Sequence, residues 1–121
     1  MLNSCVGNAQ LTEQLAARLI KSRARHFIYS ERARTTHNSA LENIAALEGE
    51  LVREAERAWR LAIAQGQHAD RRALTTILTR AKNRARREVR VAFDDSTTTE
   101  SLAKFFDSFQ PEDLIPTEGT S

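Results

Sequence analysis

A chain of 121 residues with 40% apolar content and a net charge of +2 is sized for a single domain. It has only five Phe, one Trp and one Tyr, and much of its apolar count is alanine, so one chain can bury only a thin core. The single cysteine, Cys5, excludes an intrachain disulfide, and no apolar run reaches the roughly 18 residues that would span a membrane. The N-terminus lacks a basic start followed by an apolar stretch, so no secretory signal is read and a cytoplasmic protein is expected.

Charge is unevenly spread. Residues 18–34 carry six Lys/Arg against Glu31, and residues 71–90 carry eight against Glu88. Residues 94–121 carry seven acids against Lys104. A basic body with an acidic end is the pattern to explain.

Residues 1–10 show little periodicity and read as a flexible lead-in. A first helix is expected from Thr12, a capping residue with Glu13 in the first turn, to about Arg34. Its apolar side is Leu15, Ala16, Leu19, Ile20, Phe27 and Ala33, and its polar stripe is Arg18, Lys21, Arg25 and Arg32. After a polar break at residues 35–38, Ser39 and Glu42 have the spacing of a capping box. The second helix then runs to Gln65 and stops at Gly66, a favoured C-terminal cap residue. Its apolar stripe is broad, from Leu41, Ile44 and Leu47 through Leu51, Val52 and Ala58 to Trp59 and Ile63. Gly49 sits in mid-helix at a cost of up to about 1 kcal/mol relative to alanine, which implies the close approach of another helix.

The third helix spans Asp70 to Phe93, with Asp70 as its cap. Leu74, Ile77, Leu78, Ala81, Ala85, Val89 and Ala92 form its dry stripe at single-face spacing. Its wet arc carries Arg72, Arg80, Lys82, Arg84, Arg86, Arg87 and Arg90. Residues 94–97 end it, and Thr97 with Glu100 marks a short fourth helix bearing Leu102, Phe105, Phe106 and Phe109. Pro111 stops that helix. The expected architecture is all-α: an antiparallel bundle of three long helices plus a short C-terminal helix, its wide stripes favouring completion by a homodimer over a monomer. The bundle domain spans 11–109, and residues 110–121 form an acidic C-terminal tail.

Few constellations here carry chemistry. His26 and Glu48 both fall within apolar stripes, and folding the first two helices about the break near His37 sets them opposite each other. They are expected to meet as a polar pair, because two ionisable groups in a dry seam must be paired or neutralised. Such a pair serves as a pH-sensitive switch or as a register-fixing contact; the alternative is that Glu48 reaches Arg23. His37, His68 and Cys5 lack companions at metal-ligand spacing, and no phosphate-binding loop or serine elbow is present. Acids and arginines interleave at Glu50, Arg53, Glu54, Glu56, Arg57 and Arg60, as on an ordinary solvent face. No enzyme, cofactor or metal is read from the sequence.

Three functional classes remain. The first is a non-enzymatic helical regulator or inhibitor that binds another protein through Leu51, Val52, Trp59 and Ile63 on the second helix and through Phe105, Phe106 and Phe109 near the end. The second is a nucleic-acid binder that grips phosphates with Arg72, Arg80, Arg84, Arg86, Arg87 and Arg90, a salt-sensitive mode with weak sequence preference. The third is a coiled-coil assembly part, which suits the long helices but lacks sustained heptads. The acidic C-terminal segment either docks on a partner or caps its own bundle, its acids resting on the third helix's arginines.

Overall fold

The computed structural model describes residues 2–65, 71–93 and 96–115. They form four α-helices and one short 3₁₀ turn: α1 (Leu2–Thr36), α2 (Ser39–Gln65), α3 (Arg71–Ala92), α4 (Ser96–Ser108) and the turn Pro111–Leu114. No strand occurs among the described residues, so the chain is all-α. The expected Gly66 and Asp70 caps and His68 lie outside the described residues.

α1 starts at Leu2, ten residues before the expected start at Thr12, so residues 2–10 are helix and not an irregular lead-in. Once the packed part of a helix exists, each added residue gains a hydrogen bond at little entropic cost, and no proline stands in the way. At its other end, His37 adopts the left-handed conformation (φ 52°), and its N–H bonds the Ala33 carbonyl at 2.9 Å. This is the usual way to end a helix, with histidine where glycine is commoner. The cap of α2 is Asn38, not Ser39. The Asn38 Oδ1 accepts the N–H groups of Ala40 at 2.8 Å and Leu41 at 3.4 Å. Ser39 is already the first helical residue, so the expected Ser39–Glu42 box gives way to an asparagine cap one position earlier. Likewise α4 begins at Ser96, which puts Thr97 inside the helix.

α1 is the central element. It packs against α2, α3 and α4, while the 3₁₀ turn rests on α3. Ala16, Ala17, Leu19, Ile20, Ala24 and Ile28 are therefore buried around more of its circumference than one stripe provides. Small residues at these positions let neighbouring helices approach closely. Leu74, Leu78, Ala81, Ala85 and Val89 of α3 are buried as expected, and Ile77 is half-buried. Ala92 is exposed; the larger Phe93 takes the end of the stripe and meets Tyr29 edge-on at 5.8 Å. In the polar stripe of α1, Arg18 is exposed, but the other three cations are engaged. Arg25 and Arg32 stack over the Tyr29 and Phe93 rings, and Lys21 reaches Glu88 at 2.6 Å.

Residues 110–115 are not tail. Leu114 and Ile115 join the core, and the Trp59 indole Nε1 donates to the Leu114 carbonyl at 2.9 Å. A buried indole N–H requires an acceptor, and the 3₁₀ turn supplies one.

Candidate interaction surfaces

The broad apolar stripe of α2 divides into two faces. Ala45, Glu48, Ala55 and Trp59 are buried, with Val52 and Ile63 half-buried against the core. Turned away from α1 are Ile44 (37% exposed), Leu47 (61%), Leu51 (45%) and Leu61 (58%). Of the four α2 residues expected to bind a partner, only Leu51 belongs to this outward row. Trp59 is a core residue, and Val52 and Ile63 pack on it. Ile44, Leu47 and Leu61 are the residues that sequence reasoning passed over as contact groups. The width of the stripe, too great for one neighbouring helix, signals Ile44 and Leu47; Leu61 stands outside that stripe.

The C-terminal aromatic residues are likewise turned inward. Phe106 and Phe109 are buried and Phe105 is half-buried. Phe105 packs against Phe27 of α1 at 5.8 Å between centroids, Phe106 at 5.1 Å and Phe109 at 6.1 Å. They close the chain's own core. Among the described residues the acids of this segment do not carry the docking: Glu100, Asp107, Glu112 and Asp113 are exposed. Cations instead meet rings, hydroxyls and carbonyl oxygens. Lys82 Nζ donates to the Phe109 carbonyl at 3.1 Å and lies 5.9 Å from that ring's centroid. The Arg86 guanidinium lies 5.5 Å over Phe106, and Arg32 donates to the buried Thr98 hydroxyl. Ser101 donates to Glu31 at 2.9 Å. Apolar contact with cation–π support wins because rings and aliphatic stems lose water together, whereas exposed ion pairs gain little.

The arginine arc of α3 separates by pairing. Arg84 is held between Glu13 at 3.9 Å and Glu88 at 3.0 Å. Bonds from Lys21 and Arg84 hold the Glu88 carboxyl below the usual carboxylate range. Arg72, Arg80, Arg87 and Arg90 are exposed, and no acid among the described residues pairs with them. Arg86 is exposed beyond its contact with Phe106.

Glu48 is 7% exposed and is bound by Arg25, not by His26 or Arg23. Arg25 Nε reaches Oε1 at 3.2 Å and Nη2 reaches Oε2 at 3.1 Å, a two-pronged contact. These bonds raise the Arg25 pKa. The His26 ring instead covers Gly49, and Arg23 pairs with Glu56 at 2.7 Å. The expected close approach at Gly49 is therefore present, made by a side chain of α1. The expected His26–Glu48 pair fails because Arg25, one position away, brings a fork that satisfies both carboxylate oxygens.

Two clefts remain. One, of about 470 Å³, lies between α1, α2 and the 3₁₀ turn, with Trp59, Ile63 and Leu114 in its walls beside the Arg23–Glu56 pair. The other, of about 300 Å³, lies between α3 and α4, where Arg86, Arg90 and Asp107 surround Leu102 and Phe106. Among the described residues, no three His, Cys, Asp or Glu side chains group to hold a metal ion, and no helix is long and apolar enough to cross a membrane. Comparison with protein-family models, curated proteins and solved structures finds no match to the chain.

Proposed function

We propose that this protein is a non-enzymatic helical interaction protein that binds and modulates a protein partner through an apolar helical face. Its frame is an antiparallel bundle of three long helices closed by α4. The order of the α1–α2 pairs supports this frame: Arg23 meets Glu56 while Arg25 meets the earlier Glu48.

The observation that carries the reading is the outward row Ile44, Leu47, Leu51 and Leu61. Scattered apolar residues are ordinary on a surface, but four large ones aligned on one side of a helix, interrupted there by Glu54, mark a contact face. A photo-crosslinking side chain placed at Leu51 or Leu61 in cells tests it. Protein adducts are expected at both positions and not at the exposed Arg80. Adducts at Arg80 alone, or none, would refute the reading.

A second reading rests on α3. Arg72, Arg80, Arg87 and Arg90 extend over roughly 27 Å of helix at 1.5 Å per residue, a length suited to a row of phosphates. Steeply salt-sensitive retention on heparin or duplex DNA supports it, and indifference to both at low salt removes it.

A further inference from the structure

The outward face of α2 has a finer pattern than a row of leucines. Positions 44, 47, 51, 54, 58 and 61 follow one another at alternating steps of three and four, and all but Glu54 are apolar. This is the spacing of a two-helix seam, confined to about five turns of one helix. Beside the seam stand Glu50 and Arg57, one turn to either side of its middle, both with exposed side chains. On its other flank are the small residues Ala55 and Ala62, where the seam meets the chain's own core.

We propose that a second copy of this chain is the occupant, its α2 lying antiparallel on the first. The proposal rests on the reading of this face as a docking surface and names the partner. Antiparallel pairing sets Ile44 against the partner's Leu61, and Leu47 against the small Ala58 of the partner subunit. Two-fold symmetry makes each contact twice. In the same register Glu50 faces the partner's Arg57, and Arg57 faces the partner's Glu50. This charge arrangement complements itself, a property that matters only when both surfaces are the same.

Parallel pairing is disfavoured by the same residues. It would place Glu54 against the partner's Glu54 in the seam and would leave Glu50 beside the partner's Ala55. Like charges in one layer oppose association, and flanking charges set orientation. In the antiparallel register Glu54 lies beside Leu51 of the partner subunit, with its carboxylate free to turn to the solvent edge. The thin core of one chain points the same way, because a helix apolar on two faces is satisfied only by a neighbour on each.

The test is the mass of the purified full chain over a concentration series, by light scattering or sedimentation. Twice the 13.6 kDa of one chain is expected. Leu47→Glu with Leu51→Glu should return a single-chain mass with unchanged helical circular dichroism, since both side chains are exposed. Glu50→Arg or Arg57→Glu alone should weaken association several-fold, and the two together should restore it. A wild-type chain that stays monomeric throughout overturns the proposal, as does a dimer indifferent to the leucine substitutions. Loss of association without rescue in the double charge reversal overturns the antiparallel register. A monomer that still crosslinks to a different protein at Leu51 overturns only the identity of the partner. A monomer that forms no adduct there overturns the docking surface too.

Discussion

The imidazole of His26 lies directly on Gly49: a Cβ at position 49 would come within 3.3 Å of Nε2 and 3.6 Å of Cδ2. Glycine in mid-helix is thus explained by a neighbour's ring, not by a bend. Alanine there gains about 1 kcal/mol in helix propensity, but the ring must shift by a few tenths of an ångström. Gly49→Ala alone should therefore stabilise by clearly less than that amount, while in a His26→Ala background it should stabilise by about 1 kcal/mol. Urea unfolding of the four proteins measures the coupling. Additive effects would mean that the ring does not rest on Gly49.

Arg25 is the partner that makes the buried Glu48 tolerable. Arg25→Ala leaves that carboxylate without its fork and should destabilise by about 1–2 kcal/mol, toward the low end for a buried pair because the Arg25 side chain is 38% exposed. Arg25→Lys should recover only part of this, since an ammonium cannot match both oxygens at once. Equal stability of the Lys variant and the wild type in denaturant titrations would refute the two-pronged contact.

The only tryptophan reports whether the C-terminal segment is docked. Removing residues 111–121 deletes Leu114 and Ile115 from the core and exposes the Trp59 indole. Fluorescence emission should shift to the red and stability should fall by at least about 2 kcal/mol. Trp59→Phe in the full chain should cost about 1 kcal/mol or more, from the lost bond to the Leu114 carbonyl and the smaller ring. Unchanged emission after truncation would show that the turn is not seated on Trp59.

Acid should cancel the contribution of Glu88. Its folded pKa is lowered by Lys21 and then Arg84. Stability from this group is therefore fully present above the ordinary carboxylate value near 4.5 and is lost as pH falls through the folded value. The side chain is 41% exposed, so screening keeps the contribution to a few tenths of a kcal/mol. Glu88→Gln should be slightly less stable than wild type at pH 7 and equal to it near pH 2. A stability gap that persists in acid would exclude the ionic origin.

If the exposed arginines of α3 grip phosphates, Arg80→Gln, Arg87→Gln and Arg90→Gln together should lower the salt slope of duplex binding by about 3, roughly one per lost contact. Arg84→Gln, at a residue occupied by Glu13 and Glu88, should change the slope much less. Equal effects from the two sets would disprove the separation of the arc into paired and free cations.

Local rules brought the sequence close to the elements. The second helix was legible from Ser39 to Gln65 because apolar periodicity and chain breaks are local signals. Its cap was displaced by one residue, since Asn38 and Ser39 are both good caps and only the backbone path chooses. The aromatic run from Phe105 to Phe109 was legible as a cluster; its orientation toward Phe27 was not. Glu48 was legible as a buried acid in need of a partner. Arg25 and His26 differ by 100° of helix rotation, and that rotation decides which of them reaches it.

By itself the sequence determined that this chain is helical, where its second and third helices run, and that cations concentrate on one side of the third. Periodicity and turn chemistry act within a few residues, so they can be read without knowing the fold. Only the tertiary structure decided that α1 sits at the centre, that residues 110–115 complete the core, and that half of α2's apolar stripe faces outward. Those outcomes depend on which helix meets which and on each helix's rotation about its axis. They follow from packing between residues far apart in the chain, a balance that no local window contains.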